Sequence, residues 1–378
     1  MKKINLHWFG LLAITPCVVL SSNITKNEKH DKTIFKVTKT IQRFYGKSEQ
    51  FKYIKKINAN YLYAQYINYY AIIDRKDFSI IEIKKGNYNF DTNIEYNFLY
   101  SNKRNENNIN KLRLTSNKHF FPLENDKLDK LPNISNKIKD SWWWATRNTT
   151  QKIGYTDQSL LKDKYDDSGL CEYIAISNIL LYNHLFKNSC IFTDEEFANY
   201  FDYDNYNETI QDSSPTFKYY QYNNPDNSLV AKLWRLNKRW LNFYSYNSYT
   251  YSINKFLQGK DVFSKYEYDY KMGTYYYRTI ENIRNDNPVI VSTAKTMHAF
   301  IIYGFDSETQ MVLLNWLWGD NDSIVLVNYW KLAAAASALK IIFTMRAKQN
   351  QKLETKKLFK YKNKMYNNEE IRKLFNEN

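Results

Sequence analysis

The chain has 378 residues, 43% of them hydrophobic and 25% charged, with a formal net charge of +15. That length and apolar content exclude a disordered or fibrous chain and allow an export segment plus two globular units of ordinary size. The basic residues are scattered among Asn, Ile and Tyr with no nucleic-acid motif beside them, which argues against nucleic acid and leaves an anionic membrane or acidic substrate as the electrostatic partner.

In chain order, Met1-Lys2-Lys3 followed by the apolar stretch Leu6 to Leu20 has the basic and hydrophobic regions of an export signal covering residues 1–22, too short for a comfortable membrane span. Cys17 within it is a candidate for lipid attachment, which would leave the protein secreted or held at the cell surface. Residues 23–122 read as a β-rich unit. Asn60 to Tyr66, Tyr69 to Ile73 and Phe78 to Ile83 are aromatic and β-branched runs broken by polar residues, the pattern of a small meander. A polar linker, 123–140, leads to the main unit at 141–345, which opens on Trp142, Trp143 and Trp144. Three adjacent tryptophans cannot all point inward, so core positions are expected for two. A helix is expected from Leu229 to Phe243, a helix-to-strand passage at Asn282 to Val291, a helix from Lys331 to Ala338 and a strand from Ile341 to Thr344. The charged tail, 346–378, is expected at the periphery, with a short helix at Glu369 to Phe375. The sequence contains no phosphate-cradling glycine loop and no metal-ligand spacing, so no cofactor is implied.

The most informative stretch is Asp166 to Phe186. Asp166, Asp167 and Ser168 are favoured helix N-cap types, and the apolar residues from Ile174 to Phe186 suit a mostly buried helix. Cys171 falls in or just before its first turn, where the positive end of the helix dipole favours thiolate over thiol. A base is then sought among five histidines. His7, His30 and His119 lie in N-terminal segments. His184, thirteen residues along the same helix, stands about 20 Å away and is a surface or core residue. His298 opens the strand-like run His298 to Asp306, and a turn at Asp306 to Thr309 leads to a second run ending at Asn315. Folding that hairpin sets Asn315 within one or two residue pairs of His298, near enough for its amide to hold the imidazole.

At these residues the sequence resembles the papain-like cysteine peptidases, especially the secreted bacterial branch typified by staphopain and streptopain. Gly169-Leu-Cys171-Glu-Tyr-Ile-Ala-Ile-Ser177 matches the nucleophile helix, Met297-His298-Ala299 with Tyr303-Gly304 the histidine strand, and Asn315-Trp-Leu-Trp318-Gly319 the asparagine strand. The resemblance implies an α+β fold with a two-part catalytic domain, its nucleophile helix packed against an antiparallel sheet or barrel, and a β-rich pro-domain before it. It implies a cysteine endopeptidase acting on peptide or protein substrate, with Cys171 as nucleophile, His298 as general acid/base, Asn315 as orienting residue, and Trp316 or Trp318 shielding the pair. The family's side-chain oxyanion donor is a glutamine several residues before the cysteine. Here the sixth residue upstream is Tyr165, which leaves Gln158 as the nearest candidate beside the Cys171 backbone N–H. Leu317 and Asp320 stand where streptopain-like chains carry glycine. The alternatives are a transglutaminase-like acyltransferase using the same pair, and a surface binding lipoprotein with a decayed site.

Overall fold

The computed structural model describes residues 28–86, 131–145, 170–187, 190–203, 213–218, 227–237, 246–293, 298–317, 323–336, 339–348 and 356–376. The export segment, Cys17, Gln158 and Trp318 lie outside them. The chain divides into two compact units, Met1–Tyr88 and Asn89–Asn378.

The first unit opens with a helix, α1, over residues 28–45. Thr33, Val37, Ile41 and Phe44 recur every three or four residues and form its buried stripe. This helix adds to the β-rich expectation, its apolar residues keeping helical spacing within a Lys-dense segment. Four antiparallel strands follow: β1 (Phe51–Lys56), β2 (Tyr61–Tyr66), β3 (Tyr69–Asp74) and β4 (Ile80–Lys85). The last three coincide with the expected meander. The first is mostly exposed, and its weak pattern gave no strand signal. The helix is fastened to the meander through Tyr66, whose hydroxyl donates to the Ile34 carbonyl at 3.0 Å, and through Tyr45, whose ring lies 4.5 Å from that of Tyr69.

The second unit is built on an antiparallel sheet. Its elements run β5 (Asn136–Lys137), α2 (Ser141–Ala145), α3 (Leu170–Phe186), α4 (Asp194–Tyr200), β6 (Phe201–Asp202), β7 (Thr216–Phe217), α5 (Leu229–Leu236), α6 (Tyr246–Leu257), β8 (Tyr266–Met272), α7 (Tyr276–Arg284), β9 (Val289–Thr293), β10 (Ala299–Asp306), β11 (Met311–Asn315), β12 (Val325–Asn328), α8 (Tyr329–Ala335), β13 (Leu339–Ala347), β14 (Phe359–Tyr361), β15 (Lys364–Tyr366) and α9 (Asn368–Asn376). The sheet order is β12-β11-β10-β9-β13-β8, with β5 paired to the far end of β10. Strands β9, β10 and β11 are buried along their whole length, which is why they read as continuous apolar runs rather than as alternation. Helix α3 packs on β9, β10 and β13, and α7 on β9 and β10. Every described side chain of α3 from Cys171 to Phe186 is buried, including Glu172, Ser177, Asn178, Asn183 and His184. Asn178 and Asn183 solve the polar problem locally by donating to the carbonyls of Ile174 and Ile179 one turn back.

Two of the three tryptophans, Trp143 and Trp144, are fully buried, with their rings 4.7 Å apart and close to Tyr182 of α3. The C-terminal segment departs from its expected place at the periphery. Phe359 and Ile371 are fully buried, and the Phe359 ring lies 5.5 Å from Phe186 and 6.5 Å from Trp142. Within it lie a hairpin and, at Asn368–Asn376, the helix expected near Glu369 to Phe375.

Candidate active site

The site is assembled from the helix start and the β10–β11 hairpin. Cys171 is the second residue of α3 and is 5% exposed; neither it nor Cys190 is in a disulfide. His298 immediately precedes β10. Its backbone is tied to β9, with the Thr293 N–H donating to the His298 carbonyl at 2.9 Å. The turn at residues 307–310 returns the chain along β11, and Asn315 pairs with Ile301, three residues past His298. A register shift between Ile302 and Gly304 brings that pairing one residue nearer the histidine. The hairpin follows the sequence expectation, whereas Asn315 falls three residue pairs from His298 rather than the expected one or two.

The contacts within the site are more particular than the sequence implied. His298 Nε2 lies 2.7 Å from the Trp316 carbonyl oxygen. The Asn315 amide donates from Nδ2 to the Trp144 carbonyl at 2.8 Å and accepts at Oδ1 from the Leu317 N–H at 2.7 Å. Trp316 and Phe300 place rings 6.1 Å and 6.3 Å from the imidazole, in a site where His298 is 4% exposed. Burial holds the imidazole neutral, pushing its pKa down to about 3, with the Trp316 carbonyl working partly in the other direction. In this buried arrangement the imidazole therefore stays unprotonated at neutral pH.

Around the thiol the environment is buried but not apolar. Glu172, the next residue, is 2% exposed. The phenols of Tyr173 and Tyr249 are both raised by burial first and by the Glu172 charge next, and for Tyr249 Cys171 adds to the effect. The two tyrosines therefore stay protonated and can act only as neutral hydrogen-bond groups. Asn237 donates to the Tyr173 hydroxyl at 2.8 Å, joining α3 to the end of α5. Sequence reading passed over Glu172 and Tyr249. An acidic residue in the first turn of an otherwise apolar helix was the available signal for the former, whereas nothing in the tyrosine-rich tract singled out the latter. His184 is a core residue: it accepts from the Phe192 N–H at 3.3 Å, and burial takes its pKa to about 3.

Of the six expected site residues, Cys171, His298, Asn315 and Trp316 lie in the second unit among the described residues. His298, Asn315 and Trp316 are gathered on one hairpin end, and Cys171 heads the helix that packs on that hairpin's first strand. Among the described residues no group of three or more His, Cys, Asp or Glu could hold a metal ion, and no helix is long and apolar enough to cross a membrane.

Comparison with known proteins adds one distant likeness. No family model matches the chain, and no curated protein matches it. A solved fragment of prointerpain A from Prevotella intermedia is similar at 15% identity with a TM-score of 0.46, covering 80% of this chain and 100% of that one.

Proposed function

We propose that the chain is an exported cysteine endopeptidase with a papain-like catalytic unit. The observation that carries this reading is the placement of the histidine: His298 is held through Nε2 at the start of a strand on which the Cys171 helix packs. In the reaction His298 takes the Cys171 proton as the sulfur attacks the carbonyl carbon of a peptide bond. The tetrahedral oxyanion is met by the Cys171 backbone N–H at the helix start and by a further donor, for which Gln158 is the candidate. Collapse expels the amine, which receives the proton from His298, and leaves a thioester on Cys171. Water, deprotonated by His298, hydrolyses the thioester and restores the thiol. Export and lipid attachment at Cys17 belong to the same proposal, as does a pro-domain role for the N-terminal unit.

The decisive experiment offers the protein a peptidyl electrophile and locates the adduct by mass spectrometry. Selective modification of Cys171, lost in the His298→Ala variant, is expected. Labelling at Cys190 at an equal rate, or at neither thiol, would remove the enzyme reading.

A further inference from the structure

Asn315 ends β11, and the next two residues form a tight, buried bend. Leu317 sits at φ 60°, the left-handed region, at a position where the resemblance anticipated glycine. For an L-residue that conformation costs about 1–2 kcal/mol, so it persists only where neighbouring contacts over-determine it. Here the contact is explicit: the Leu317 N–H donates back to Asn315 Oδ1 at 2.7 Å. The other end of the same amide is anchored outside the hairpin, on the carbonyl of Trp144 at the end of α2. Between these two anchors lies Trp316, which is 2% exposed and whose carbonyl oxygen stands 2.7 Å from His298 Nε2. A carbonyl oxygen only accepts, so a bond at that distance requires Nε2 to carry the proton and leaves the lone pair on Nδ1.

We infer that the backbone carbonyl of Trp316 sets the tautomer of the catalytic imidazole, and that Asn315 is a positioning residue acting on it through the 315–317 bend and the Trp144 carbonyl. The word catalytic rests on the peptidase reading above; the tautomer and its support do not. The arrangement makes α2 part of the site's scaffold, because its last turn supplies the acceptor that holds Asn315 in place. It also gives Leu317 a reason to be strained. The left-handed turn is what lets one amide bridge the Leu317 N–H and the Trp144 carbonyl while the intervening carbonyl points at the imidazole.

The test is a long-range proton–nitrogen spectrum of the full chain labelled with nitrogen-15 at histidine, with His298 assigned by difference from His298→Ala. The wild-type protein is expected to show a single Nε2–H tautomer. An Nδ1–H tautomer would overturn the inference by itself. Asn315→Asp separates the through-bend role from direct contact. If the amide oxygen held the imidazole directly, a carboxylate would keep and strengthen the Nε2–H bond. If Asn315 works through the bend, the carboxylate can no longer donate to the Trp144 carbonyl, and the tautomer should become mixed. Asn315→Ala should do the same, and its kcat should fall by roughly 10- to 100-fold with KM little changed, the size expected for a misplaced reacting group. Trp316→Phe keeps the carbonyl and should keep the tautomer. A folded Asn315→Ala or Asn315→Asp protein with the wild-type tautomer overturns the positioning role. A wild-type protein with the Nε2–H tautomer and no turnover would instead leave the geometry standing and remove the peptidase reading.

Discussion

Arg372 clasps Asp140 across 232 residues of sequence, with Nε 2.7 Å from one carboxylate oxygen and a terminal guanidinium nitrogen 2.6 Å from the other. Asp140 is completely buried, immediately before α2, whereas the Arg372 side chain is 29% exposed. The bidentate pair fixes α9 against the segment that carries the tryptophans.

Removing the cation would strand a buried carboxylate. Arg372→Ala should therefore cost about 3 kcal/mol, near the lower end of the range for breaking a buried pair because the guanidinium is partly hydrated. Urea unfolding measures it. Lys356 bonds an Asp194 that is 95% exposed, so Lys356→Ala should change stability by less than about 0.5 kcal/mol. Equal effects from the two variants would contradict the role given to the clasp.

Acid should destabilise the fold through two histidines. His184 and His298 are both lowered to about 3, by burial first in each case, with Lys356 and Lys260 adding to the effect at His184. Between pH 6.5 and 3 the unfolded chain binds more protons than the folded one, so stability is complete above pH 6.5 and declines as pH falls towards 3. At pH 5 each histidine should account for a loss on the order of 2 kcal/mol. Denaturation midpoints at pH 7 and pH 5 should differ accordingly, and His184→Asn should shrink the difference. A midpoint that does not move between those pH values would refute the buried neutral state of both rings.

Gly304 admits the close approach of β5. A Cβ there would lie 2.5 Å from Ile134 Cδ1, 3.1 Å from the Asn136 carbonyl oxygen and 3.3 Å from Lys137 Cγ. The side-chain contacts can yield, but the backbone oxygen belongs to a strand paired to β10. Gly304→Ala should cost about 1–3 kcal/mol by overpacking, read as a lowered thermal midpoint. A neutral substitution would mean that β5 is free to move away.

For the proposed chemistry, Cys171→Ala and His298→Ala should each lower hydrolysis of an unfolded protein substrate by about three orders of magnitude or more while far-ultraviolet circular dichroism is retained. Full activity in either variant would eliminate the mechanism.

The pro-domain reading makes a separate prediction. The segment from about Thr25 to Tyr88, added in trans to a chain beginning near Lys130 so that β5 is kept, should inhibit turnover, and the shortened chain should be more active than the full-length protein. Absence of inhibition together with undiminished full-length activity would make the first unit a permanent module.

What the amino-acid sequence determined by itself was whatever depends on local periodicity and short-range turns. The meander from Tyr61 to Lys85, the thiol-bearing helix, the passage from α7 into β9 and the hairpin from His298 to Asn315 are all legible because apolar spacing and turn residues act over a few positions. Helix α1 was equally legible in the spacing of Thr33, Val37, Ile41 and Phe44, but its charge density obscured it. Only the tertiary structure could decide that the Trp316 carbonyl meets the imidazole. Backbone carbonyls carry no residue-specific signature, and the neighbouring Asn315 amide is bonded to the Trp144 carbonyl from 171 residues away. The same holds for the C-terminal segment. Phe359, Ile371 and Arg372 look like surface residues in a charged tail until the fold brings Trp142, Phe186 and Asp140 beneath them, and burial is a property of those distant partners rather than of the segment's own composition.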